Sequence, residues 1–208
     1  MKPASVRTRL VGVLALFALT APLSAQERDP LAKLDSATHR AVQSLIDSAR
    51  DEGLPTREIV SKAQEGVSKH AKPDLIVLNV RKVFLSLRDA RAALGPKAVP
   101  DELDAAAAAL QTGISPASLT ELQAARGGKP MTVALVVLAD LVTRGVPREL
   151  ASSAVAQLSM AGTSDSDLQA LSHGVQQDIL SGATPGDALK QRVRQVPVKL
   201  PPRTPNGG

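Results

Sequence analysis

The sequence predicts an all-α protein: about nine helices with short turns between them, forming either an irregular helical repeat of the α-solenoid kind or a multi-helix bundle. Three observations predict it. A joint recurs along the chain, at Gly53-Leu54-Pro55, Gly113-Ile114-Ser115-Pro116, Gly145-Val146-Pro147, Gly162-Thr163-Ser164 and Gly182-Ala183-Thr184-Pro185. Between joints, apolar residues recur at steps of three and four, the period of one helix face. The apolar set is almost all Leu, Val, Ile and Ala, with no Cys, Trp or Tyr. Such small side chains suit helices packed near the short end of the usual roughly 8–10 Å spacing.

The joint has a physical reading. Glycine adopts the left-handed conformation that closes a helix without a Cβ penalty. The apolar residue after it folds back on the helix just ended. Serine or threonine then caps the N–H groups of the next helix, and proline fits its first turn, where no N–H is needed.

The chain divides into three parts: an export leader at 1–25, an all-helical domain at 26–195 and a basic, proline-rich tail at 196–208, expected to be disordered. In the leader, Lys2, Arg7 and Arg9 precede an apolar run of 12 residues from Leu10 to Ala21, and Ala25 offers a cleavage site before Gln26. The run is too short to span a bilayer, which takes about 20 apolar residues, so no transmembrane segment is expected after processing.

The helices follow in order. Asp29-Pro30 is read as the first start, with Leu31, Leu34, Thr38, Ala41, Leu45 and Ala49 as its apolar stripe. The second starts at Pro55 and carries Ile59, Ala63, Gly66 and Val67; a close helix crossing is the structural reason for Gly66, since glycine within a helix otherwise costs up to about 1 kcal/mol against alanine. The third opens at Pro73 and runs to Gly95, with Leu75, Leu78, Val83, Phe84, Leu87, Ala90 and Leu94 as its core side and Arg81, Lys82 and Arg88 on its wet side. Pro100 starts a helix whose run Ala105 to Ala109 gives a close-packing surface. Ser115-Pro116 starts a short one. Met131 to Leu138 is nearly all apolar and is expected at the centre of the core. Three more start at Pro147, Ser164 and Thr184-Pro185, the last fading near Val196. Successive joint glycines from Gly95 onward lie 15 to 20 residues apart, and two such steps make a helix pair of about 35 residues, within the range of helical repeats.

Within Gly53 to Ile76, the segment GLPTREIVSKAQEGVSKHAKPDLI resembles one found in exported bacterial proteins of unassigned function, which read GLP, then a Lys and a Glu-Gly pair, then a basic residue and a Pro-led helix. Lys62, Glu65, Gly66, Lys69 and Pro73 match; His70-Ala71-Lys72-Pro73 departs from the Lys-Gly-Val-Pro of that pattern. The resemblance implies envelope export and helical structure, and brings no activity.

Little in the sequence points to catalysis. The three histidines, His39, His70 and His173, fall on three different expected helices with no metal-binding spacing. There is no G-x-S-x-G elbow and no S-x-x-K. Gly127-Gly128-Lys129 lacks the spacing of a phosphate loop, and Asp165-Ser166-Asp167 lacks the ligand series of a calcium loop. No catalytic, cofactor-binding or metal-binding residue is assigned, and no cofactor is expected. The net charge of +5 falls to +2 once Lys2, Arg7 and Arg9 leave with the leader, too little to imply nucleic acid. One candidate interaction face remains: Lys62, Glu65 and Lys69 share a side of the second helix, where an ordinary solvated salt-bridging face and a docking stripe are the two readings. The resulting expectation is a non-enzymatic scaffold of the bacterial envelope, periplasmic or secreted, with another envelope protein as partner and a weak contact of the basic tail with anionic polymer or lipid. Alternatives are a helical carrier of a small apolar ligand or lipid, and a helical hydrolase, which needs a pocket holding a carboxyl of raised pKa.

Overall fold

The computed structural model of the chain describes residues 31–196. The leader at 1–25, the Asp29-Pro30 start and the tail from 197 lie outside the described residues. Within them the protein is all-α, with nine helices: α1 (Ser36–Asp51), α2 (Arg57–Ser68), α3 (Pro73–Leu94), α4 (Pro100–Gln111), α5 (Pro116–Arg126), α6 (Thr132–Thr143), α7 (Arg148–Met160), α8 (Asp165–Leu180) and α9 (Pro185–Gln195).

Six of the eight joints between the helices share one repeated turn. After α1, Gly53 N–H donates to Arg50 O and Leu54 N–H reaches back to Ala49 O at 2.8 Å. These paired bonds satisfy carbonyls that a helix end leaves without partners. The same pair closes α4 at Gly113-Ile114, α6 at Gly145-Val146, α7 at Gly162-Thr163 and α8 at Gly182-Ala183. Leu54, Ile114, Val146 and Thr163 are buried by folding back. Ser115, Ser164 and Thr184 cap the following helices with side-chain oxygens, as their places in the sequence predict. One joint lacks glycine. After α2, His70 takes a left-handed φ of 51°, and Ala71 N–H closes on Gly66 O. His70, expected on a helix, is therefore itself the turn.

Several expected positions are corrected. Leu31 and Leu34 form a turn before α1, because Asp35 caps Ser36–Asp51 by accepting from the N–H groups of Ala37 and Thr38. The buried side of α1 is Thr38, Val42, Ile46 and Ala49; Ala41 and Leu45 sit half-buried at its edge. The second helix begins at Arg57 rather than Pro55. In α3 the core row is Ile76, Val80, Val83, Phe84, Leu87, Ala90 and Leu94. Leu75 and Leu78, expected inside, are each 48% exposed. By helical period Leu75 and Leu78 lie off the face that Val83, Phe84, Leu87, Ala90 and Leu94 share, and Ile76 and Val80 complete that face. At Gly66 a Cβ would lie 2.8 Å from Ile76 Cγ1, so Ile76 occupies the space glycine leaves. The close crossing expected at Gly66 is this contact.

Each helix packs against its next or next-but-one neighbour in the chain. The α3 helix lies against α1, α2, α4 and α5; α4 against α6; α5 against α7; α6 against α7 and α8; α9 against α8 and α7. No extensive contact joins helices more than two apart. The odd-numbered helices thus follow one another in a row, as do α4, α6 and α8. A closed bundle would bring the first helices onto the last, so the arrangement is the open helical repeat. The α6 helix lies mid-row as expected, with Ala134, Leu135, Val137, Leu138 and Leu141 buried. Ala105, Ala106, Ala107 and Ala109 of α4 are buried in the close-packed surface their size predicts.

Candidate functional site

Three surface features and one buried link are candidates. The face of α2 is first. Spacing of three and four residues brings Lys62, Glu65 and Lys69 together, with Lys62 Nζ 2.6 Å from Glu65 Oε2 and Lys69 Nζ 2.5 Å from Glu65 Oε1. Hydrogen bonds from Lys62 and then Lys69, reinforced by their charges, lower the Glu65 pKa to about 2. Both lysines are therefore satisfied within their own helix.

Lys62 and Glu65 also line a cleft of about 280 Å³, together with Glu58, Ser61 and Asp104; Lys69 does not. The sequence offered no sign of Asp104 beyond its place as the third acid, after Asp101 and Glu102, before the alanine run. Its side chain is only 9% exposed. Oδ2 accepts from Arg57 Nη2 at 2.8 Å, while Oδ1 is buried and accepts no hydrogen bond. Burial raises its pKa, with the Arg57 charge acting against it. A raised carboxyl is what hydrolysis would need, but the oxygen left free is buried, and the other is held by Arg57.

The second feature is the outer side of α3. Leu75 and Leu78 stand 48% exposed and Leu85 46%. At steps of three and seven they make one stripe, opposite the buried row. Arg81, Lys82 and Arg88 flank it and are exposed, as expected. Arg88 is engaged, 3.0 Å from Glu52 and over the Phe84 ring at 5.8 Å. Arg81 and Lys82 hold no ion pair among the described residues.

The third is a groove of about 660 Å³ between α5 and α7, on the side away from their core residues Leu119, Leu122, Val155 and Leu158. Ala124, Ala125 and Ala156 give it a shallow apolar floor, Met160 projects at its end with 66% of its surface exposed, and Glu121 and Glu149 stand at its sides. No lysine or arginine lines it. Neither glutamate has an ion pair among the described residues.

The buried link is Arg126, whose side chain is 3% exposed. Its guanidinium donates to Pro130 O and to Asp165 Oδ1, the latter at 2.7 Å. It ties the end of α5 to the loop before α6 and to the first turn of α8. Further along, Asp140 takes hydrogen bonds from Arg144 and Ser172. Burial opposes its ionisation, but these donors win and its pKa is lowered. Asp178 is gripped by Arg192 through two 2.6 Å bonds. These are links between helices, and their donors and acceptors are already matched.

Among the described residues no group of three or more His, Asp or Glu is placed to hold a metal ion, and no helix is long and apolar enough to cross a membrane. His39 lies on α1, His70 in its joint and His173 on α8. In comparisons with protein families, curated proteins and solved structures, nothing matches this chain.

Proposed function

We propose that the protein is a non-enzymatic helical scaffold of the bacterial envelope, exported by the leader at 1–25, which holds a partner protein on the outer side of α3. The observation that carries this reading is the stripe of Leu75, Leu78 and Leu85. These are three of the seven large apolar side chains left exposed among the described residues, and they share one helix face. Single exposed apolar residues are ordinary, but a stripe bordered by charge marks an interaction surface. The open repeat supports the reading, because stacked helices expose long surfaces suited to holding another chain. Export rests on the leader and on the likeness of Gly53 to Ile76 to exported proteins. The basic tail is a second, weaker contact for anionic polymer or lipid. The face of Lys62, Glu65 and Lys69 is a solvated ion-pair face in this reading, since Glu65 occupies both lysines.

The test is site-specific photo-crosslinking in the native envelope. A crosslinking residue in place of Leu78 or Leu85 is expected to trap a protein. The same residue in place of Leu180, which is 73% exposed at the end of α8, is expected to trap none. Adducts with lipid alone, or no adduct at any of the three, would overturn the reading.

A further inference from the structure

We propose that the α5–α7 groove is the seat of the chain's own basic tail, with the stretch from Val198 to Arg203 lying in it. The scaffold reading gives this groove no role, and the inference goes beyond it. Three observations argue for the tail as occupant.

The first is charge. Glu121 and Glu149 stand at the sides of the groove without an ion pair, and no lysine or arginine lines it. Arg148, next to Glu149 in the chain, is engaged elsewhere: it lies against Gly113 and donates to Thr112 O at 3.2 Å. Residues 197–208 contain Lys199 and Arg203 and no acid. Two unpaired anions and two cations on one chain are complementary, and charge-assisted hydrogen bonds are the stronger kind.

The second is the surface itself. Ala124, Ala125 and Ala156 make a shallow floor that leaves room for larger side chains, and Met160 at its end is flexible enough to mould to them. Val198, Leu200, Pro201 and Pro202 supply such side chains. Proline has no N–H, so this stretch brings few main-chain donors to a wall of helices that offers no strand edge. Proline also restricts the free tail, which lowers the entropy lost on docking.

The third is reach. The α9 helix folds back along α8, with Arg192 bonded to Asp178 and packed on Gly174. Its end at Gln195 therefore lies further toward the start of α8, which follows Met160 by the joint at Gly162-Thr163. Val196 is packed against the core there, and α9 also lies against α7, one wall of the groove. From Val196 to Arg203 is seven residues, up to about 23 Å of extended chain. With helices about 10 Å apart, that length crosses α7 and enters the groove. A tail seated in this way is not free to hold anionic polymer or lipid, because the same Lys199 and Arg203 serve both.

The experiment is NMR on the full chain recovered after export, with circular dichroism to confirm helicity. The chain has no cysteine, so Thr204→Cys gives one site for a nitroxide label, next to the docked stretch and outside it. The label is expected to broaden the amide signals of Ala124, Ala156 and Met160 and to leave those of α1 sharp. Glu121→Lys with Glu149→Lys reverses the groove, and Lys199→Glu with Arg203→Glu reverses the tail. Each reversal alone is expected to shift the tail at least about tenfold toward the free form. Both reversals in one chain are expected to restore the broadening. Broadening confined to α8 and α9, or a combined variant that does not recover, would overturn the proposal. Broadening that passes from a nitroxide-bearing chain to an isotope-labelled chain mixed with it would give the groove to the tail of a second copy, and would also overturn it. Sharp groove signals together with flotation of the protein on phosphatidylglycerol vesicles would give the tail to lipid and leave the scaffold reading standing without this contact.

Discussion

The ion pairs on α2 and the one at the end of α5 use the same chemistry with different consequences. Lys62, Glu65 and Lys69 lie within eight residues of one another along the chain, and each is at least about a third exposed. They meet whenever that helix forms, whatever the rest of the chain does. Arg126 reaches Asp165 across 39 positions of sequence and is 3% exposed. Its partners exist only once α5, the loop before α6 and α8 have come together. A local pair therefore adds to the helix, and a distant buried one holds the repeat in its stacking. The same helix that carries the local pairs meets the core through Gly66, a residue with no side chain to pair at all.

The comparison breaks first at Arg126. Arg126→Ala removes the Asp165 pair, leaves the Pro130 carbonyl without its donor and opens a space at the α5–α8 contact. It is expected to cost about 2–3 kcal/mol, read by urea denaturation. Asp165→Ala leaves the buried guanidinium with Pro130 O alone and also destabilises. If both variants unfold like the wild type, the link does not hold the stacking.

Gly66→Ala tests the packing side of α2. Alanine is the better helix former by up to about 1 kcal/mol, so a solitary helix would gain. Here the new methyl meets Ile76, and the net result expected is a loss of about 1–2 kcal/mol. Ile76→Val in the same chain is expected to recover part of it. A raised melting temperature for Gly66→Ala would show that the crossing is loose.

The smallest effect belongs to Glu65. Its pKa is lowered in the folded protein from 4.5 to about 2. A depressed carboxyl adds stability above its unfolded pKa, and that stability is lost as pH falls through the folded value. Glu65→Gln is therefore expected to be slightly less stable than the wild type above about pH 4.5 and equal to it below about pH 2. The difference should shrink as salt rises, because these charges face solvent. Stability curves of the two proteins against pH, at low and high salt, check both statements. Asp104, raised by burial, runs the other way: its contribution falls as pH rises above 3.8, so Asp104→Asn removes a slope of opposite sign.

Much of the fold was legible because its signals are local. Gly53, Gly113, Gly145, Gly162 and Gly182 marked the helix ends, since a left-handed closing residue is a requirement of the turn itself. Ser115, Ser164 and Thr184 marked starts for the same reason. The α2 face was legible too, as three- and four-residue spacing settles who meets whom on a helix. The features that matter most for the proposed interactions were not. Leu75 and Leu78 read as core, since a stripe of leucines has the right period on either side of a helix. Asp104 and Arg126 gave no pattern, because their partners come from other helices.

By itself, then, the sequence determined the helices, their ends and their apolar faces, because each depends on residues within a turn or two of one another. Tertiary structure decided which residue of α3 meets the gap in α2, seating Ile76 on Gly66. It also decided between open repeat and closed bundle. Both bury the same stripes, and only the contacts between whole helices, limited to near neighbours in the chain, tell them apart.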